Sequence, residues 1–258
     1  MSQLLQSLPD ARGGTVGDSG RVGVIGGSVG FPGQPSLTAL AALRAGSDVS
    51  KALVSEEIYP VVASHSPDLV ADRYPGERYD DEAVDSALEM AGWVESLVVG
   101  PGLVDADADA VRRTVDEADV PVVVDADAID PLLHADLSSA VVTPDDNEVS
   151  RIEEEHESLE EFTSATGAVA VAKSDVDVIV SDGERTTNDA GSPVMTVVGT
   201  GDTMAGVIAA LLVQGLDRRD AAELGAWIVG KAGELATVER GNGIVTTDII
   251  EKIPDTVQ

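Results

Sequence analysis

The sequence predicts an α/β fold: a central, mostly parallel β-sheet with helices on both faces. Three observations predict it. Short continuous apolar runs alternate with segments of helical periodicity, the order expected of parallel strands covered on both sides. Most of the apolar runs end in loops rich in Gly, Pro or Asp, and ligands of such folds bind at the carboxyl ends of strands. The chain has 258 residues, 43% of them hydrophobic and only 3% aromatic, so a large core must be built from Ala, Val, Leu and Ile. No repeat, linker or composition break divides it, so one domain over 1–258 is expected.

The elements follow in order. Residues 22–25 (VGVI) form a strand feeding the loop Gly26-Gly27-Ser28. Residues 35–44 (PSLTALAALR) read as a helix closed by Gly46, and 51–54 (KALV) as a strand. Residues 59–77 are turn-rich and read as a mobile loop. A helix over 83–91 precedes the strand 96–99 (SLVV), which ends in Gly100-Pro101-Gly102. A helix over 107–117 leads to the strand 121–124 (PVVV), ending in Asp125-Ala126-Asp127. The strand 139–142 runs into Thr143-Pro144, and the charged stretch 151–161 reads as a solvated helix. Residues 168–172 (AVAVA) form a strand reaching Lys173, with 176–180 (VDVIV) as its antiparallel partner. Helices are predicted over 203–214 and 221–238.

Composition narrows the function. There is no cysteine, which removes disulfides, thiolate metal sites and a Cys nucleophile. The net charge of −31 repels nucleic acid and anionic membranes. Acidic residues are spread along the chain, and lysine is confined to Lys51, Lys173, Lys231 and Lys252. Such a surface suits a cytoplasm at molar salt, where the Debye length is ~3 Å, so a halophile is expected. No apolar stretch reaches the ~20 residues that span a bilayer. Residues 1–12 lack the layout of a signal peptide, so the expected location is cytoplasmic.

The strongest motif is Gly199-Thr200-Gly201-Asp202-Thr203, directly before an apolar helix. Glycines let backbone approach a ligand, and the unpaired N–H groups of a helix start bind anions such as phosphate. Asp202 beside that anion hole is placed to accept a hydroxyl proton; the competing reading of Asp202 or Thr203 is a helix cap. Asp125 and Asp127 are read either as Mg²⁺ ligands or as caps, and the 143–148 segment (TPDDNE) as a cation site or an acidic helix start. Lys173 is read as a phosphate contact or a solvated strand end. His65, His134 and His156 show no metal spacing; His156, among glutamates, reads as solvent-exposed.

Taken in order, these segments resemble the ADP- or ATP-dependent NAD(P)H-hydrate dehydratases of the ribokinase-like superfamily. The resemblance rests on 20–50 with its GGS loop, SHSPDLV at 64–70, VVGPGL at 98–103, PVVVDADAID at 121–130, TPDDNEVSRI at 143–152, VAKSDVDVIVSDG at 171–183, GTGDTMAG at 199–206 and GNGIVTTDIIEKIP at 241–254. It implies a ribokinase-like fold and repair of the S-form of hydrated NAD(P)H. The C6 hydroxyl is phosphorylated from ADP or ATP, with Mg²⁺, and phosphate is then eliminated. By the same resemblance Asp202 is the catalytic base. Lys173, Ser174, Asp175, Val176, Asp177, Gly199, Thr200, Gly201 and Thr203 contact the nucleotide and its phosphates. Gln34, Gly102, Asp145, Glu148 and Asp202 face the hydrate. It further implies a homo-oligomer working beside a separate epimerase, with no epimerase domain fused to this chain. The chain departs from the family pattern at Gln34, Val104, Asp145, Ser174 and Val229. A ribokinase-like small-molecule kinase shares the GTGD motif and is the competing reading.

Overall fold

The computed structural model describes residues 1–8 and 20–257; the expectation drawn for residues 1–12 falls partly outside this set. In chain order the elements are α1 (Ser2–Ser7), β1 (Arg21–Ile25), α2 (Gln34–Ala45), β2 (Val49–Ser55), α3 (Tyr59–Val62), β3 (Val70–Tyr74) and α4 (Asp81–Ala91). Then come β4 (Ser96–Val99), α5 (Ala108–Glu117), β5 (Val122–Val124), β6 (Ala140–Val142), α6 (Asp146–Glu155) and α7 (Leu159–Thr166). The chain continues through β7 (Val169–Ala172), β8 (Asp177–Ser181), β9 (Glu184–Asn188), α8 (Thr200–Val213), α9 (Arg218–Arg240) and α10 (Thr246–Thr256).

The strands form one nine-stranded sheet in the order β3-β2-β1-β4-β5-β6-β7-β8-β9. Pairing is parallel from β3 through to β7 and antiparallel for β8 and β9. Strand order reverses between β1 and β4. Their following loops therefore diverge there and open a crevice, the usual ligand position in such sheets.

The two-residue period of the strands divides the core. Val22, Val24, Val98, Val123, Val141, Val169 and Val171 face α2, α8, α9 and α10. Ile25, Leu97, Val99, Val122, Val124, Ala140, Val142 and Ala170 face α4, α5 and α7. Both faces are covered, which is why these strands read as unbroken apolar runs. Helix α8 is apolar almost all round because the sheet, α2 and α9 enclose it. Its approach to α2 is so close that a Cβ on Gly206 would lie 2.1 Å from the Thr38 carbonyl oxygen.

Four expectations are corrected. Residues 59–77 are not a loop throughout: they contain α3 and the parallel edge strand β3. An edge strand needs no apolar run, and only Tyr74 of β3 is buried. The polar edge strand β9 carried no strong signal for the same reason, whereas helix α10 was also unforeseen although it buries Ile249, Ile250 and Ile253 in the core. The 151–161 stretch is not one helix, because α6 ends at Glu155 and Ser158 caps α7 by accepting the Glu161 N–H. Nor is it merely solvated, since Ile152, Leu159 and Phe162 are buried. The break turns His156 inward. Its ring is buried, meets the Leu133 carbonyl at 2.7 Å and packs edge-on against Phe162. Finally, α8 begins at Thr200, so Asp202 lies inside the first turn.

Candidate active site

The site is assembled at the carboxyl ends of the parallel strands and the amino end of α8. Gly199 caps α8 with φ 100°, a left-handed conformation that suits glycine. A side chain there would also meet Leu37 Cδ1 at 2.6 Å. No side chain caps this helix start; the Thr200 N–H meets the Val197 carbonyl and the Thr203 N–H the Gly199 carbonyl, so the N–H groups of Gly201 and Asp202 are left for a ligand, with the positive end of the helix dipole behind them. The Thr200 hydroxyl is occupied by the carbonyls of Met195 at 2.8 Å and Val197 at 3.1 Å. The fully buried Thr203 donates its hydroxyl to the Gly199 carbonyl at 3.0 Å.

Lys173 follows β7 and reaches back beneath the anion hole. Its Nζ lies 2.6 Å from Asp125 Oδ1, and a Cβ on Gly201 would lie 3.0 Å from that nitrogen. Asp125 follows β5, is 1% exposed, and also accepts the Thr143 hydroxyl at 2.7 Å. Neither expectation for Lys173 describes this fully, because its ammonium is held in a buried ion pair. Burial pulls the Lys173 ammonium down, but Asp125, Glu148 and Asp202 together outweigh it and hold the group above its ordinary value. Asp202 is 9% exposed. Burial, reinforced by the Asp125 charge and opposed by Lys173, pushes its carboxyl up to about 7.

After β6, Asp145 and Glu148 form a reciprocal capping box at the start of α6. Asp145 Oδ1 accepts the N–H groups of Asn147 and Glu148, both at 2.8 Å, and Glu148 Oε2 accepts the Asp145 N–H at 2.7 Å. The two backbone donors offset part of the Asp145 charge. Asp177 is likewise engaged, accepting from the Ser174 N–H and the Asn188 side-chain amide. Among the described residues, no group of three His, Asp or Glu side chains is arranged to hold a metal ion.

A pocket of about 750 Å³ opens beside the start of α8. Its wall contains Asp145, Lys173, Ser174, Asp175, Asp177, Thr200 and Gly201, all singled out in the sequence. Val176 is not in the wall and is 45% exposed. Gly199, Thr203, Glu148, Asp202, Gln34 and Gly102 are not in the wall, although Gly199, Asp202 and Thr203 adjoin Thr200 and Gly201 in the chain. Gln34 opens α2 after β1, and Gly102 belongs to the loop after β4. These last two meet in the switch-point crevice, where a Cβ on Gly102 would lie 3.2 Å from Gln34 Cβ. Sequence reasoning missed the 190–198 segment and Gly230, which complete the pocket. The segment has little regular structure. The available signal was a pair of small residues on α9: Gly230 and Gly233, against which Ala190 and Met195 close with no room for a Cβ.

A mostly parallel sheet, an uncapped glycine-bracketed helix start and a buried Asp in its first turn place the chain in the ribokinase-like fold class. The chain belongs within that class to the NAD(P)H-hydrate dehydratase family, whose model matches residues 22–255. It is 55% identical over 241 residues to the ADP-dependent (S)-NAD(P)H-hydrate dehydratase of Haloterrigena turkmenica, covering 93% of this chain and 94% of that protein. The protein of the same name from Natrialba magadii is 51% identical over the full length of both chains. Among solved structures, the fold matches the ADP/ATP-dependent NAD(P)H-hydrate dehydratase of Bacillus subtilis co-crystallised with ATP and Mg²⁺. That match has a TM-score of 0.81 and 24% identity, covering 99% of this chain and 95% of the other.

Proposed function

We propose that the chain dehydrates the S-form of hydrated NAD(P)H back to NAD(P)H, using ADP or ATP as phosphoryl donor. The observation that carries the reading is Asp202, a buried carboxyl in the first turn of an uncapped helix, next to Lys173. Asp202 takes the proton of the C6 hydroxyl as its oxygen attacks the terminal phosphoryl group. The free first-turn amides of Gly201 and Asp202 hold the charge on that group, with Gly199 and Thr200 shaping the turn before them, and Lys173 adds positive potential from below. The C6–O bond then breaks, phosphate leaves with the electron pair, and loss of a proton from C5 forms the C5=C6 bond.

The nucleotide lies in the 750 Å³ pocket along Lys173, Ser174, Asp175 and Asp177, with the backbone of Val176 spanning between them. Thr203 acts by fixing the helix start. The hydrate occupies the crevice side, bounded by Gln34, Gly102, Asp145 and Glu148. Asp125 is committed to Lys173, and Mg²⁺ arriving with the nucleotide would neutralise the charge of its phosphates. The protein acts in the cytoplasm as a homo-oligomer, with an epimerase activity supplying the S-form. No helix among the described residues is long and apolar enough to cross a membrane.

The test is recovery of reduced-nicotinamide absorbance from hydrated NADH, in high salt with Mg²⁺ and either ADP or ATP. Recovery that requires the nucleotide is expected. A folded, nucleotide-binding protein that recovers nothing refutes the reading and points to a small-molecule kinase.

The acidic surface sets the conditions of that assay. With 16 Lys and Arg against 47 Asp and Glu, carboxylates outnumber basic side chains about threefold. Their repulsion is unscreened in dilute buffer, where the Debye length grows to about 30 Å at 0.01 M, and is suppressed at molar salt. Thermal unfolding followed by circular dichroism should therefore rise steeply in midpoint between 0.01 M and molar NaCl. A midpoint independent of salt would refute adaptation to a saline cytoplasm.

A further inference from the structure

We infer that Phe31 is the platform against which the hydrated nicotinamide ring stacks, a substrate contact additional to Gln34 and Gly102. The inference rests on the dehydratase reading above and gives the reacting ring one place in the switch-point crevice. Aromatic residues make up only 3% of the chain. Tyr74, Tyr79 and Phe162 are 1% exposed, whereas Phe31 is 48% exposed and stands alone in the exposed class among the described aromatic side chains. Single exposed apolar residues are ordinary, so exposure by itself assigns nothing. The position of Phe31 is what assigns it.

Phe31 belongs to the turn after β1, closed by its own N–H on the Ser28 carbonyl at 3.0 Å. The loop after β4 is joined to that turn. The Gly27 N–H meets the Pro101 carbonyl at 2.8 Å, and a Cβ on Gly102 would lie 3.1 Å from Phe31 Cβ and 3.2 Å from Gln34 Cβ. The root of the Phe31 side chain is thus fixed between both walls of the crevice, while about half of the side chain stays open. From there the crevice leads to the anion hole. Gln34 opens α2, and Leu37 lies on the same helix face about 4.5 Å further along the axis. Leu37 reaches the start of α8, where a Cβ on Gly199 would lie 2.6 Å from Leu37 Cδ1. One helical turn, with a van der Waals contact at each end, therefore separates Phe31 from the turn that presents the free Gly201 and Asp202 N–H groups. That span suits a six-membered ring with the transferring phosphoryl group beyond it.

The chemistry of the ring fits the contact. In the hydrate N1, C2, C3 and the carboxamide remain conjugated and planar, while C5 and C6 are saturated. The planar part offers a face to an aromatic side chain, and the saturated part adds apolar C–H surface. An uncharged ring also brings no repulsion to a substrate that carries phosphates, unlike the carboxylates common elsewhere in this chain. The same turn holds an unmet polar group: Ser28 Oγ is buried and has no hydrogen-bond partner among the described residues. Buried hydroxyls are ordinarily paired, so the turn is completed by a further polar group, of the kind the carboxamide offers.

The experiment compares wild type, Phe31→Ala and Phe31→Tyr in high salt with Mg²⁺ and ADP, reading kcat and KM for hydrated NADH and nucleotide affinity by calorimetry. Phe31→Ala should raise the KM for the hydrate by about tenfold, the lower range for removing an aromatic side chain from a stacked ring. Nucleotide affinity should stay within about twofold, because Phe31 is outside the wall of the nucleotide pocket. Phe31→Tyr keeps the ring and should recover most of the loss. A second readout needs no turnover: in Phe31→Trp, added NADH should quench the indole emission by energy transfer well beyond the quenching of Trp93 and Trp227 in wild type. An unchanged KM in Phe31→Ala, an equal loss in Phe31→Tyr, or a matching fall in nucleotide affinity would overturn the inference. So would a smaller oligomer in Phe31→Ala by sedimentation with the KM unchanged, which would assign the ring to a contact between copies. Wild type that binds nucleotide and recovers no NADH would instead overturn the dehydratase reading itself.

Discussion

Asp202→Asn should lower nucleotide-dependent recovery of NAD(P)H by about 10²–10⁴-fold, the range for losing a positioned general base. Asn matches the shape of Asp but accepts no proton, and the pocket wall beside it is untouched. Nucleotide affinity, measured by calorimetry, should therefore stay within a few-fold of wild type. Equal losses of binding and turnover would make Asp202 a structural cap instead. The pH dependence follows from the same carboxyl. Held at about 7 by burial, it must be ionised to act, so the phosphoryl-transfer rate should rise with pH through that region and then level. Stability should move the other way. The folded protein keeps protons on Asp202 and Glu148 at pH values where the unfolded chain has already released them. That contribution is fully present below the ordinary carboxylate range and is lost as pH rises through about 7.

The second large effect is expected at the ion pair. Lys173→Met leaves Asp125, 1% exposed, as a buried charge facing Asp202 and Glu148 with no cation among them. Removing one partner of a buried pair costs about 3–5 kcal/mol. For a chain of this size that lowers the unfolding midpoint by on the order of 10 °C. Adding Asp125→Asn to Lys173→Met should return part of the loss, because the unpaired charge is gone. A calorimetric midpoint for Lys173→Met within 2 °C of wild type (about 1 kcal/mol) would show that the pair contributes little. Turnover should remain low in the double variant, since the cation beneath the anion hole is still missing.

How much of this was legible in the chain varies with the kind of signal. The parallel strands β1, β2 and β4 to β7 were readable because burial on both faces demands continuous Val, Leu and Ile. The edge strands β3 and β9 were not, because an edge strand has neighbours on one side only and tolerates VADRY or ERTTN. The GTGDT motif was readable because a left-handed Gly199 and an acceptor in the first turn need those residue types next to each other. The 190–198 segment was not, because its place beside the pocket comes from packing on α9 rather than from a local preference.

The sequence by itself determined the α/β class, the strand order in the chain, the acidic charge balance and the motif that begins α8, since each depends on composition or on residues close in the chain. Only the tertiary structure decided which isolated polar residues act together. Asp125, Glu148, Lys173 and Asp202 come from four different strand ends and helix starts, and neither charge nor spacing along the chain announces their meeting. Their proton affinities are a product of burial and mutual charge, and both arise only when the sheet brings the ends of β5, β6 and β7 side by side beneath α8.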